Sequence, residues 1–455
     1  MFSNRPLGDD LVDLPENWST GSEKGKNISE GWLKEFGYPE LSTLVEEAFI
    51  QNPTLESQLA AVKIAQIQST LAGADRLPQL SAGLGSSRNK RNATNGFSLA
   101  SAYNTRYSFS LDLSWEIDLW NRLGNGVKAA VYDEVAEEAD FKGAQLSLAA
   151  NITKVWFDGI EAQQQLELSQ RTVDNYRSTL QIIERGYDYG LYRALDVRLA
   201  RSNLLGAVSR KQTHLIARDD AVRTLEVFLG RYPSASLKFP EKLPTLSRSI
   251  RAGIPIDLLN RRPDIVAATA RYNALDERHV QAKKNRLPSI QLTGSSGMTS
   301  GDLTDLVDTD FLVWNFVSGI TQPLFQGGRL DALRDEAGIR LQQAEADYKQ
   351  IVLQAFKEVE TLLSSDKWLR IQEESLVETA RETAEAELLA NEDYVSGLTD
   401  INTLLQTQRD AFVAESSLLA VRKARLQNRV NLYLALGGEV ATSSDQKNTL
   451  NLQNQ

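Results

Sequence analysis

The strongest constraint on this chain is that it reads twice. Asn52-Pro53 stands 210 residues before Arg262-Pro263, and Arg76-Leu77-Pro78 stands 210 before Arg286-Leu287-Pro288. The offset then becomes 207. Arg122-Leu123 precedes Arg329-Leu330, Tyr187 through Gly190-Leu191 precedes Tyr394 through Gly397-Leu398, and Leu229-Gly230 precedes Leu436-Gly437. Five landmarks in one order define two copies of a module of roughly 200 residues, too long for a solenoid unit. The reading divides the chain into an extended N-terminal segment (1–38), a first repeat (39–230), a linker expected to form an irregular belt (231–254), a second repeat (255–438) and a tail (439–455). The tail is rich in Asn, Gln, Ser and Thr and is expected to be disordered.

Each module has the same plan: a helix opened by proline, two strands, two long helices. Pro53 and Pro263 suit a first helical turn, where the missing N–H costs nothing. Arg-Leu-Pro then ends that helix, because the residue before proline avoids the helical region. From Tyr107 to Leu119 the chain alternates without error: Tyr107, Phe109, Leu111, Leu113, Trp115, Ile117 and Leu119 on one face, polar residues on the other. Such alternation marks a strand with one apolar and one wet face. Its length fits a bilayer-spanning strand of about 9–11 residues. The second copy runs from Phe311 to Phe325, less cleanly: Val313 and Val317 fall on the polar side and Pro323 cannot donate to a ladder. Shorter partners are expected at Leu80-Ala82-Leu84 and Ile290-Leu292, with polar loops over 88–106 and 299–310.

Two strands per module cannot stand alone, and four per chain cannot close a membrane barrel, whose smallest examples have eight. Lipid demands closure, because open edges leave backbone groups unsatisfied there. Several chains donating four strands each resolve the conflict. Three would give twelve, although the spacing does not fix that number.

Proline is absent from about 126–187, 191–229, 330–394 and 398–436, which read as helices. Leu398, Leu405, Phe412, Leu419, Leu426 and Tyr433 recur every seven residues, as do Leu341, Tyr348, Ala355, Leu362, Leu369 and Leu376. Sustained heptads imply coiled-coil packing. Gly190 and Gly397 fall at the turns, so each module ends in a helical hairpin.

Composition excludes much else. Net charge is −10, against nucleic-acid binding, which needs a basic face. There are no cysteines and two histidines, His214 and His279, so thiol chemistry, disulfides and Cys-based metal sites are out. No cofactor and no metal site is expected. Paired acids such as Glu358/Glu360 and Asp133/Glu134 lie on charged heptad helices, where solvated faces are the usual explanation. No GxSxG, HExxH or GxxxxGK[ST] accompanies them, so neither an enzyme nor a nucleotide-driven machine is indicated. No run of 18 apolar residues suggests a transmembrane helix. The first residues lack the apolar core of a signal peptide, so the sequence is expected to be cytosolic or a mature form, with the strands favouring the latter. A cytosolic coiled-coil scaffold would explain the helices but leave the 107–119 strand without purpose.

From about Leu41 to Gly438 the sequence resembles the outer-membrane efflux protein family, the TolC-like factors of Gram-negative bacteria. The resemblance rests on the tandem repeat, the two Arg-Leu-Pro turns, Arg261-Arg262-Pro263-Asp264 and the two Gly-Leu tips; the RRPDI stretch is similar to the lipoprotein-type drug-efflux branch. It implies a mainly α protein with membrane β structure. In that arrangement, each tandem-repeat protomer gives four strands to a trimeric 12-stranded β-barrel and adds to a long coiled-coil α-helical periplasmic barrel. It implies an outer-membrane location extending into the periplasm, and partnership with a periplasmic adaptor (membrane-fusion) protein and an inner-membrane efflux transporter. The function implied is passive conduction of drugs or small toxic compounds. A conduit for type I protein secretion is the alternative. A metal-efflux conduit fits less well, since Met1 and Met298 are the only methionines. Many members carry a lipid on an N-terminal cysteine, which this sequence lacks.

The resemblance also implies site residues. Asp196 and Tyr394 match positions that hold the periplasmic end closed, although Asp196 also reads as a helix N-cap. Thr403 and Gln406 match positions where relatives carry a ring of aspartates; neither is acidic here, and Asp400 and Asp410 are the nearby carboxylates. Gly190, Leu191, Gly397 and Leu398 are the implied adaptor-docking tips. Asp112, Glu116 and Asp118 are expected on the barrel lumen, where they would favour cations; a solvated face with no selective role is the equal alternative.

Overall fold

A computed structural model describes residues 18–19, 31–94, 99–246 and 255–438. The elements repeat as the landmarks require. Helices α1 (Pro39–Gln51) and α2 (Pro53–Ala74) lead to strands β1 (Gln79–Thr94) and β2 (Leu99–Ile117), then α3 (Arg122–Asp188) and α4 (Ala194–Phe228). The second pass is α5 (Leu258–Arg261), α6 (Pro263–Lys284), β3 (Ser289–Ser300), β4 (Leu312–Thr321), α7 (Arg329–Val395) and α8 (Ile401–Ala435). Both long helices have 67 residues and both return helices 35. At 1.5 Å per residue the long ones extend about 100 Å. No helix among the described residues is long and apolar enough to cross a membrane. The chain forms two compact units, one of Met1–Leu59, Ala139–Val266 and Lys349–Gln455, the other of Ala60–Glu138 and Ala267–Tyr348.

The second unit carries a four-stranded antiparallel sheet in the order β1-β2-β3-β4. The register aligns one apolar face across all four strands: Leu80 lies opposite Leu113, Trp115 opposite Leu292, Ile290 opposite Ile320, Gly294 opposite Phe316. The other face is mostly polar, built of Ser, Thr, Gly, Asn and Gln with Asp112 and Glu116, and is interrupted by Val313 and Val317. Two expectations are corrected. The loop expected at 88–106 is largely strand, because the β1–β2 register continues for sixteen pairs to Thr94↔Leu99. Polar residues sustain it: the Tyr103 ring lies beneath Arg88 and Lys90, cations at 5.4 and 5.5 Å from its centroid. β4 stops at Thr321 rather than Phe325, two residues before Pro323. At the lower edge each Arg-Leu-Pro turn is tied the same way. Trp115 Nε1 donates to Arg76 O at 2.9 Å, and Gln322 Nε2, in the matching place of the second repeat, donates to Arg286 O at 2.7 Å.

The first unit holds the main core. Leu148, Ile152, Phe157 and Ile160 of α3 pack with Leu426, Val430 and Tyr433 of α8 and with Trp32, Leu33 and Phe36. The last three lie in a buried 3₁₀ turn (Trp32–Phe36), so this part of the N-terminal segment is not extended. The Trp32 ring stacks on Tyr433 at 5.6 Å. Of the linker, 231–246 carries no helix or strand, and Phe239 packs on Trp156 at 5.5 Å. The rest of the linker (247–254), most of 1–30 and the tail lie outside the described residues.

Landmarks that sequence analysis found as separate pairs meet in space. In the first repeat the Asn52 carboxamide oxygen caps α2, accepting from Thr54 N and Leu55 N at 2.9 and 3.1 Å, while its Nδ2 donates to Phe228 O, the last carbonyl of α4. In the second, Arg262 takes that place: its Nη1 donates to Ala435 O, the last carbonyl of α8, at 3.1 Å and to Glu358 at 2.9 Å, and Nε and Nη2 grip Asp264. Gly230 and Gly437 press against this junction. A Cβ on Gly230 would lie 2.4 Å from Gln51 O, and one on Gly437 2.9 Å from Arg261 O. Asn-Pro, Arg-Pro and Leu-Gly thus recur because each closes its module's last helix onto its first.

Candidate functional site

The two helical hairpins end in the same turn. Gly190 and Gly397 both have φ +76°, in the left-handed region that favours glycine. Gly190 N–H bonds Tyr187 O at 2.9 Å and Leu191 N–H bonds Gly186 O at 2.8 Å; Gly397 to Tyr394 O and Leu398 to Asp393 O repeat this at 3.1 and 2.8 Å. These are paired Schellman motifs, which satisfy the last helical carbonyls. They leave Leu191 and Leu398 at the apex, 75% and 78% exposed.

Below the apex the hairpins differ. Tyr394 is 5% exposed, in a cluster with Val173, Tyr176, Ile183, Ile401 and Leu404; its counterpart Tyr187 is 48% exposed. The Tyr394 ring stacks on Tyr192 at 5.8 Å and 15°. Burial pushes this phenol well above its ordinary pKa, and Tyr192 and Asp196 push the same way, so it stays neutral.

Asp196 is buried but is not the N-cap. The cap position is Arg193, and the Asp196 carboxylate, three residues on, accepts the Arg193 backbone N–H at 2.9 Å. In the second hairpin the carboxylate is the cap itself: Asp400 accepts from Thr403 N at 2.9 Å and from Thr403 Oγ1 at 3.1 Å. Gln406 donates to both carboxylate oxygens of Asp410 at 2.8 and 2.9 Å. Thr403, Gln406 and Asp410 are exposed at i, i+3 and i+7, one stripe of α8. The tip thus gathers Asp196, Tyr394 and the two Gly-Leu pairs, with Thr403 and Gln406 farther along α8. Tyr192, Gly186 and Arg193 were missed; the signal was the density of tyrosines at 187, 189 and 192 around one turn.

The strand acids divide. Asp112 is exposed on the polar face, accepting from Ser110 Oγ at 2.8 Å. Glu116 shares that face and pairs with Arg122 at 2.7 Å. Asp118 lies beyond the strand: its two oxygens accept from Arg122 N and Gly124 N at 2.5 and 2.7 Å, holding the first turn of α3. A carboxylate at a helix start satisfies orphan N–H groups and faces the positive end of the dipole.

A long-helix tandem repeat joined to a sheet with one apolar face defines a membrane conduit. The outer membrane efflux protein family matches residues 44–231 and 254–438, and the chain belongs to it. It is 30% identical to the pyoverdine export outer membrane protein OpmQ of Pseudomonas aeruginosa, over 95% of this chain and 92% of that protein. It is 29% identical to the cation efflux system protein CusC of Escherichia coli, over 94% and 93%. The solved outer-membrane channel OprN superposes with a TM-score of 0.86 at 25% identity, covering 94% of this chain and 97% of that one. The chain is therefore an outer-membrane efflux channel of a Gram-negative bacterium, extending into the periplasm, with the mainly α fold and membrane β structure of its family.

Proposed function

We propose that three copies close their sheets into one 12-stranded barrel and pass drugs or other small toxic compounds outward, without bond chemistry, from a periplasmic adaptor and an inner-membrane pump. The open sheet carries this reading. Its edge strands β1 and β4 have no partner among the described residues, and one of its faces carries apolar side chains on all four strands, with Gly294, Ser296 and Ser318 among them. In lipid such edges need partners, and identical chains supply them. The relatives' names span pyoverdine and cations, so family membership leaves the cargo open; the drug class follows from the resemblance at RRPDI. In the barrel, Asp112 and Glu116 line the lumen and favour cations, with Glu116 muted by Arg122. Asp118 serves the helix start.

The hairpin tips form the closed periplasmic end. Tyr394 and Asp196 hold it, Thr403 and Gln406 line the α8 stripe above it, and the exposed Gly190-Leu191 and Gly397-Leu398 apices dock the adaptor. Planar-bilayer conductance tests the gate: small, mostly closed currents should grow when Tyr394→Ala is combined with Asp196→Ala. Unchanged currents would remove both residues from it.

A further inference from the structure

We infer that Tyr192 is the positioning residue of the closed tip, an aromatic clasp that holds the second hairpin against the first through the ring of Tyr394. The inference rests on the gate reading above and names what that gate is built on.

Tyr192 lies in the turn between α3 and α4, in the first hairpin, and Tyr394 lies in the last turn of α7, in the second. Their rings are 5.8 Å apart and 15° from parallel, a stacked pair. Such pairs contribute about 0.5–1.5 kcal/mol beyond the area they bury. The Tyr192 ring also rests on Gly186. A Cβ there would lie 2.2 Å from two atoms of the Tyr192 ring, so any side chain at 186 would expel it. Gly186 is buried within α3 and needs no left-handed backbone, so glycine is present for space. Its carbonyl also accepts the Leu191 N–H at 2.8 Å, fixing the turn that carries Tyr192. One residue provides both the floor for the ring and the anchor of its turn.

The repeat supplies an internal control. At the 207-residue offset Gly186 matches Asp393, Tyr192 matches Thr399, and Tyr394 matches Tyr187. The second tip has neither the bare backbone nor the ring, and Tyr187 is left half-exposed. The clasp is thus a feature of one tip, added to a shared scaffold. Its contact is between ring faces. The Asp196 carboxylate is engaged with the start of its own helix, so Tyr192 and Tyr394 carry the contact between the hairpins. Two stacked rings can part while the backbone bonds of both turns stay intact, which suits a contact that must open when a partner docks.

The test is single-channel conductance of the full-length assembled protein in planar bilayers. Tyr192→Leu and Gly186→Ala should each give a several-fold larger mean conductance. Tyr192→Phe, which keeps both rings, should stay nearer the closed parent than Tyr192→Leu, and Tyr187→Leu should change nothing. A merely structural role for Tyr192 would not separate Phe from Leu in this way. If Tyr394→Ala conducts while Tyr192→Leu and Gly186→Ala remain closed, the gate stands and the clasp is overturned. If Tyr394→Ala is also closed, the gate reading falls and the clasp with it. Should Tyr192→Leu fail to assemble, Gly186→Ala gives the reading alone, since it removes no side chain.

Discussion

The first and second repeats share the lengths of their three longer helices to the residue and share their turns, yet they are secured by different chemistry at both ends. Where the last helix meets the first, a neutral amide serves the first repeat and a guanidinium the second. At the tips, Arg193 stands at the cap of α4 with the acid three residues later, whereas Asp400 caps α8 directly. Duplication has kept the residues that fix backbone geometry, Pro53 and Pro263, Gly190 and Gly397, Gly230 and Gly437. It has let the polar side chains diverge. Backbone requirements admit one residue type; a hydrogen bond to a helix-end carbonyl admits several.

The contrast can be broken at four places. The largest effect is expected at the junctions. Arg262 is 8% exposed and bridges Asp264, Glu358 and a helix end, so Arg262→Ala should cost about 3 kcal/mol, the lower range for breaking a buried ion pair, since its acids are partly solvated. Asn52→Ala removes a cap and one carbonyl bond and should cost about 1–2 kcal/mol. Thermal melts in detergent would rank them; equal losses would mean that the charge adds nothing. Next come the glycines. Gly230→Ala meets a carbonyl at 2.4 Å as well as an unfavourable φ, while a Cβ on Gly190 meets nothing within 4 Å. The first should cost clearly more than the second, for which about 1 kcal/mol is expected from φ alone.

A smaller effect distinguishes the caps and depends on pH. Hydrogen bonds from the Thr403 backbone N–H and hydroxyl hold the Asp400 carboxyl below its ordinary pKa. Its folded value lies under the unfolded one, so its stabilisation is present above about pH 4, the unfolded carboxylate value, and is lost as pH falls through the folded value. Asp400→Ala should lower the melting temperature at pH 7, with the gap closing in acid. Arg193→Ala should show a smaller pH-dependent gap, since Arg193 acts on the Asp400 carboxyl only as the last of its causes. The smallest effect is at Glu387, whose counterpart in the first repeat is the buried Leu180. Burial raises the Glu387 pKa despite the bond from Asn175. Its raised folded value makes the charged form a liability above that pKa, relieved as pH falls through it. Glu387→Gln should therefore raise the melting temperature slightly at pH 7 and not at acid pH.

These contrasts also mark what was legible beforehand. Helix limits could be read to within a few residues because proline and glycine punctuate them, and the sheet's faces because Tyr107–Leu119 alternates cleanly. The extension of β1 to Thr94 and of β2 back to Leu99 could not, since most of its residues are polar and its pairing rests on the backbone ladder and on Tyr103 beneath Arg88 and Lys90. Asp118 looked like one more member of the polar face; that it serves α3 depends on a bend after Ile117. The meeting of Asn52 with Phe228, and of Tyr192 with Tyr394, joins residues whose individual types announce nothing. Such contacts exist only once the module has closed on itself.

The central claim is that a four-stranded sheet with one predominantly apolar face is completed by two further copies of the same chain. The direct measurement is the mass of the detergent-solubilised protein by native mass spectrometry. Three times the chain mass is predicted, lost when Ile320→Asp places a charge on the lipid face and retained when Asn315→Asp places one on the opposite face. A stable single chain, with Trp314 and Phe316 shielded from collisional quenchers in plain buffer, would contradict it.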